Sequence, residues 1–165
     1  MSVTPKTAQL QLRVSPAEKA AIQRAARRAG MDMSAYVLDR LLPAAATRFQ
    51  ELTAACAEAA SARFALAELN SFLSRLGAGE LRDAVASPPP AGLTTMHANY
   101  IAAMVESACA QHGSAPPRWA GEITPLVEPA FGSGLASLRL YLLTHSPPPF
   151  RRRNIFIDAS IGARV

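Results

Sequence analysis

Only two cysteines, three histidines and one tryptophan occur in these 165 residues, and each scarcity closes off a class of chemistry. Cys56 and Cys109 stand far apart without a CxxC or Cys/His spacing, so neither a zinc site nor a disulfide framework is indicated. Both read as small buried hydrophobes. His97, His112 and His145 are widely spaced with no HExxH arrangement, and Gly132-Ser133-Gly134 forms neither a GxSxG elbow nor a phosphate loop. No constellation nominates an active site, so the chain reads as a non-enzyme without cofactor or metal. An enzyme built on the histidines and residues 151–153 is the weakest of three hypotheses. No run approaches the ~20 uninterrupted apolar residues of a membrane span, and MSVTPKTAQLQLRV has no apolar core of a signal peptide. A reducing cytoplasm, away from membranes, is the expected location.

What is present points to helices and to polyanions. Half the residues are hydrophobic, but much of that count is alanine, which favours helix while burying little area per side chain. The expectation is a mainly α protein with thin cores that lean on self-association. Residues 1–42 carry seven basic and three acidic side chains, residues 43–146 six and eight, and residues 147–165 four and one. The positive charge therefore sits at the two ends. A basic surface attracts nucleic acid above all, although a solvated charged face is the commoner meaning of such an excess.

The stretch TAQLQLRVSPAEKAAIQRAARRAG begins with polar/apolar alternation. Over residues 8–14, Leu10, Leu12 and Val14 fall on one side of a strand while Gln9, Gln11 and Arg13 fall on the other. Ser15 then supplies a helix cap, Pro16 the first helical position and Glu18 a charge suited to the positive end of the dipole. The helix is expected to stop at Gly30 in a left-handed conformation, with Lys19, Arg24, Arg27 and Arg28 on its polar side. A second helix starts after Asp32, with Met33, Tyr36, Val37, Leu38, Leu41 and Leu42 as its apolar face.

Such a unit cannot stand alone: one strand leaves two unpaired edges, and two short helices bury too little to offset ordering costs of ~1–2 kcal/mol per residue. Two copies solve both problems, their strands pairing antiparallel about a two-fold axis over interlocked helices. The doubled polar face stays outside as a ribbon.

The segment QLQLRVSPAEKAAIQRAARRAGMDMSAYVLDRLL resembles the ribbon-helix-helix fold of bacterial repressors and antitoxins, particularly in Gly30, Asp32, Met33, Ser34, Tyr36 and Val37 at the start of the second helix. The resemblance covers about a quarter of the chain. It implies a homodimer, or a higher assembly, whose ribbon enters the major groove of double-stranded operator DNA. Gln9, Gln11 and Arg13 are then the base readers, and the second helix's N-terminus at Met33 and Ser34 clamps a phosphate. The side chains suit the task by their own chemistry, since arginine engages guanine and glutamine adenine bidentately, at ~1–3 kcal/mol of discrimination per pair. Lys6 with Arg27 or Arg28 could hold further phosphates. An ordinary amphipathic edge strand is the competing reading, and Asp32 and Asp39 do not suit a phosphate surface.

Residues 43–86 read as an alanine-rich helical extension, one long helix with a register shift or two. Phe49, Leu52, Cys56 and Ala59 step by three and four, as do Leu66, Leu69, Leu73 and Leu76; Gly77-Ala78-Gly79 ends the run and a short helix from Glu80 follows. SPPPAG, residues 87–92, reads as a linker because three prolines remove donors and forbid helix. Residues 93–165 then form a separate, small, helical and loop-rich segment: a helix capped at Thr94 or Thr95 runs through Gln111, another covers residues 135–144, and residues 154–158 are β-prone. Trp119, Arg151, Arg152 and Arg153 are its candidate partner-binding residues, a solvated arginine run being the alternative. This segment resembles the C-terminal part of bacterial antitoxin-like proteins that accompany nucleotidyltransferase-like toxins, which implies a cognate toxin as partner. An autorepressing antitoxin is thus the leading expectation, and a ribbon-helix-helix accessory protein of plasmid mobilisation, binding origin DNA and a relaxase, is the alternative.

Overall fold

The computed structural model describes residues 11–41, 44–58 and 60–158, which are mainly helical. Their contacts divide the chain into two units, residues 1–42 and 43–165.

In the first unit, α1 (Pro16–Arg28) packs on α2 (Met33–Leu41). Local chemistry sets every boundary. Ser15 and Glu18 form a reciprocal capping box, with the Ser15 amide donating to Glu18 Oε2 at 2.7 Å and the Glu18 amide to Ser15 Oγ at 3.3 Å. Gly30 has φ +68°, and the amides of Gly30 and Met31 donate to the carbonyls of Arg27 and Ala26 at 3.2 and 3.0 Å, a Schellman ending. Asp32 Oδ1 accepts from the Ala35 amide at 2.9 Å and so caps α2. The unit buries little: among its described residues only Ala26 is fully buried, with Ile22, Ala25 and residues 35–38 half-covered. Residues 11–15 form no strand in the single chain; ladder bonds need a neighbouring strand, and none of the described residues offers one. Residues 8–10 of the expected strand lie outside the described residues.

The second unit has a real core. It begins with α3 (Ala44–Ala55), α4 (Ala62–Leu73) and α5 (Ala78–Ala84), so the alanine-rich region is two helices and a short third rather than one long rod. Phe49, Leu52 and Cys56 on α3 meet Leu69 and Leu73 on α4, all buried as their spacing predicts. At the centre lies α6 (Thr95–Gln111), started by Thr94, whose hydroxyl accepts from the His97 amide at 3.1 Å. It contacts α4, α5, α7 (Arg118–Glu122) and α9 (Pro148–Arg152). Being covered on several sides, it buries Ile101, Ala102, Ala103, Met104, Val105, Ala108 and Cys109; here small alanines allow close approach.

The prolines at 88–90 do not separate two domains. One cluster unites Phe49, Leu69 and Val85 with Ile101, Trp119, Phe150 and Ile155, and Gln50 Nε2 donates to the Pro88 carbonyl at 3.0 Å. The segment expected as a linker is a turn inside one unit, its missing amide donors costing nothing where most of it faces water.

Beyond α7, β1 (Ala130–Phe131) pairs in parallel with β2 (Ile155–Phe156), and a 3-10 turn (Ala136–Leu138) leads into α8 (Arg139–His145). Gly132 is required there, because a Cβ would stand 3.0 Å from Ile157 Cγ2. The strand β2 falls in the β-prone stretch read from the sequence; β1 and α9 had no comparable signal.

Candidate nucleic-acid interface

The first unit carries the candidate DNA-facing residues. Gln11 and Arg13 are exposed on the extended segment before the capping box, while Gln9 and Lys6 lie outside the described residues. The same segment exposes Leu12 at 59% and Val14 at 45%, apolar side chains that the single chain leaves in water. Capping fixes where this segment enters α1. The Glu18 carboxyl is held below its ordinary value of 4.5, first by the Ser15 backbone amide and then by the Ser15 hydroxyl.

Arg24, Arg27 and Arg28 line one cleft at the C-terminal end of α1. Arg24 had been placed only on the polar side of the helix; its i, i+3 and i+4 relation to the other two was the available signal. These cations complement the negative end of the helix dipole. At α2, Met33 and Ser34 are exposed in the first turn, where helix amides have no acceptor one turn back. The Asp32 carboxylate occupies part of that terminus and takes the Ala35 amide, so the anion site has a negative neighbour. Arg40 lies over the Tyr36 ring, 5.4 Å from its centroid.

The expected partner-binding residues of the second unit divide. Arg151 and Arg152 are exposed in the last turn of α9. Trp119 and Arg153 are core residues, which corrects their assignment to a partner surface. Trp119 is 8% exposed, tilts against Phe49 with ring centroids 6.3 Å apart, and donates Nε1–H to the Val85 carbonyl at 2.8 Å. An indole buried with its N–H satisfied has no polar atom left to offer a partner.

Arg153 is 4% exposed and joins three elements. Its Nη2 donates to Glu106 Oε1 at 2.5 Å and to the Ala120 carbonyl at 2.6 Å, and its Nη1 to Asn99 Oδ1 at 3.2 Å. Asn99 in turn donates to the carbonyls of Thr95 and Thr124, both at 3.0 Å. A buried guanidinium is tolerable only with such partners, because an unpaired charge in the core costs several kcal/mol. Nothing in the local sequence distinguishes Arg153 from its two exposed neighbours; residue Glu106 lies 47 positions away.

The described residues hold no group of three or more His, Cys, Asp or Glu side chains placed to bind a metal, and none of their helices is long and apolar enough to cross a membrane. Burial pushes the Cys56 thiol up to about 11 and raises that of Cys109 as well, so both are poor nucleophiles at neutral pH.

A strand-preceded helix pair with exposed cations, resting on little core of its own, defines the class of small dimerising DNA-binding units to which the sequence resemblance pointed. A family model described as NikA-like, mobilization protein NikA, matches residues 4–78. NikA is a ribbon-helix-helix protein. The match takes in the first unit, α3 and α4, and stops at the start of α5; no antitoxin family matches. No curated protein and no solved structure matches the chain. The similarity therefore favours the mobilisation alternative over the antitoxin reading.

Proposed function

We propose that this protein is a ribbon-helix-helix accessory factor of plasmid mobilisation, which binds double-stranded origin DNA as a homodimer and performs no catalysis. The observation that carries the reading is the match of residues 4–78 to a mobilisation family. Two copies pair residues 8–14 antiparallel, which covers Leu12 and Val14 and supplies the strand edges each chain leaves open. The opposite face presents Gln9, Gln11 and Arg13 twice, six polar groups directed to base edges in the major groove. Arg27 and Arg28, with Lys6, neutralise phosphates, as Arg24 does in the same cleft; the free amides of Met33 and Ser34 hold another beside Asp32. The second unit provides the contact to a relaxase, while a cognate toxin has no similarity to support it.

The test is binding of the full chain to duplexes from the mobilisation origin and to scrambled duplexes, across salt concentrations. Arg13→Ala should weaken origin binding by ~1–3 kcal/mol while leaving scrambled DNA nearly unaffected. Lys6→Ala should weaken both alike and flatten the salt slope by about 0.9. A monomer in sedimentation, or equal loss on both duplexes for Arg13→Ala, overturns the proposal.

A further inference from the structure

The second unit carries an apolar surface that the DNA reading does not use, in the part of the chain beyond residue 78. Leu135, Leu138, Leu140, Tyr141 and Leu143 are all exposed within nine positions, Leu140 at 73%. On α8, Leu142 is the residue committed to the core, at 3% exposure, while Leu140 and Leu143 are one turn apart on the outer side. Scattered surface leucines are ordinary; five large apolar side chains gathered on one turn and one short helix mark a contact surface.

The charges around this surface select its occupant. No aspartate or glutamate occurs between Glu128 and Asp158, a stretch that contains four arginines and a histidine. Arg153 is consumed by the core, but Arg139, Arg151 and Arg152 are exposed. Arg139 is held over Phe131, 5.2 Å from the ring centroid, and Phe131 stacks on Phe156 with centroids 5.2 Å apart, so this cation is fixed at the base of α8. The helices α8 and α9 follow one another through Ser146 and Pro147, and both pack against β2, which places the α9 arginines on the same side of the fold as the leucines. Ser146 locks this corner, its buried hydroxyl donating to the Leu142 and Ile157 carbonyls at 2.6 and 2.7 Å, so the surface is preformed.

We infer that the α8 surface, Leu140 and Leu143 ringed by Arg139, Arg151 and Arg152, is a docking site for a protein helix that presents leucine-like side chains flanked by carboxylates. Apolar anchors supply affinity and the basic rim supplies orientation and on-rate. A second copy is the poorer occupant, because two-fold pairing of this face brings its cations together. The inference is independent of how residues 1–42 meet DNA.

The probe is a designed 18-residue amphipathic helix with leucines at i, i+3, i+4 and i+7 and glutamates on both flanks, compared with its lysine counterpart by fluorescence anisotropy against the full chain. The glutamate peptide should bind saturably and at least ten times more tightly than the lysine peptide. Leu140→Ser/Leu143→Ser should weaken it at least tenfold with an unchanged circular dichroism spectrum. Arg151→Glu/Arg152→Glu keeps the apolar residues and should weaken it to a similar extent, the effect fading in high salt. The inference is overturned by unsaturable binding, by variants that bind as the parent does, by phosphatidylglycerol vesicles whose binding depends on Leu140 and Leu143 when the peptide's does not, or by assembly beyond the dimer that the leucine variant abolishes.

Discussion

Residues 11–41 and residues 44–158 are built from the same alanine-rich material, yet they reach stability by opposite routes. The first region is specified almost wholly by local signals, a capping box, a left-handed glycine and a second cap, and it fully buries one described residue, Ala26. The second surrounds a central helix and closes with hydrogen bonds between residues 34 and 47 positions apart. Good local geometry without buried area leaves a unit dependent on a second copy, whereas buried area lets a single chain fold around itself.

The largest effect that separates the two regions is expected at Arg153. Arg153→Ala strands the Glu106 carboxylate in the core and should cost ~3–5 kcal/mol, seen as a lowered thermal transition for the second unit. Dimerisation and DNA binding by the first should persist at temperatures where both are folded. Replacing the pair together, Glu106→Leu with Arg153→Met, should recover much of the loss, since no lone charge is left behind.

Leu12→Ser works in the reverse direction. It should destabilise the dimer by roughly 1.5–3 kcal/mol for each copy that loses the side chain, raising the dissociation constant in sedimentation equilibrium without shifting the second unit's transition. An unaltered dissociation constant would break the contrast, because it would make the exposed apolar edge irrelevant to assembly.

A smaller change sharpens the role of capping. Ser15→Ala removes one half of the capping box and should cost ~1 kcal/mol of helix stability, read as faster amide exchange in the first turn of α1. The smallest effect is that of acid. The folded Glu18 carboxyl titrates below its ordinary 4.5, so its support of α1 is complete above that value and is lost as the pH falls through the lower, folded value. Amide exchange at Ser15 should accelerate across that interval, and Glu18→Gln should remove the dependence.

The helix boundaries show what was legible and why. Ser15, Pro16 and Glu18, Gly30, Asp32 and Thr94 all act within a few residues of their own positions, so their meaning survives in a linear reading. The apolar spacing of Phe49, Leu52, Cys56, Leu69 and Leu73 did so too, because helical period converts directly into a shared face. The proline run misled: Pro88, Pro89 and Pro90 forbid a helix, which a linker and a packed turn satisfy equally. The candidate partner residues were legible in part, for Arg151 and Arg152 stand in water while Trp119 and Arg153 do not.

The sequence by itself determined where the helices begin and end, which of their faces are apolar, where positive charge accumulates, and the strand-helix-helix pattern shared with a mobilisation family over residues 4–78. Those properties depend on neighbours one or two turns away. Only the tertiary structure decided that residues on both sides of the prolines share one core, that Arg153 is buried while Arg151 and Arg152 are not, and that the leucines of α8 face outward. Burial of a charge or exposure of a leucine is settled by partners far along the chain, whose contacts form only after the helices have packed.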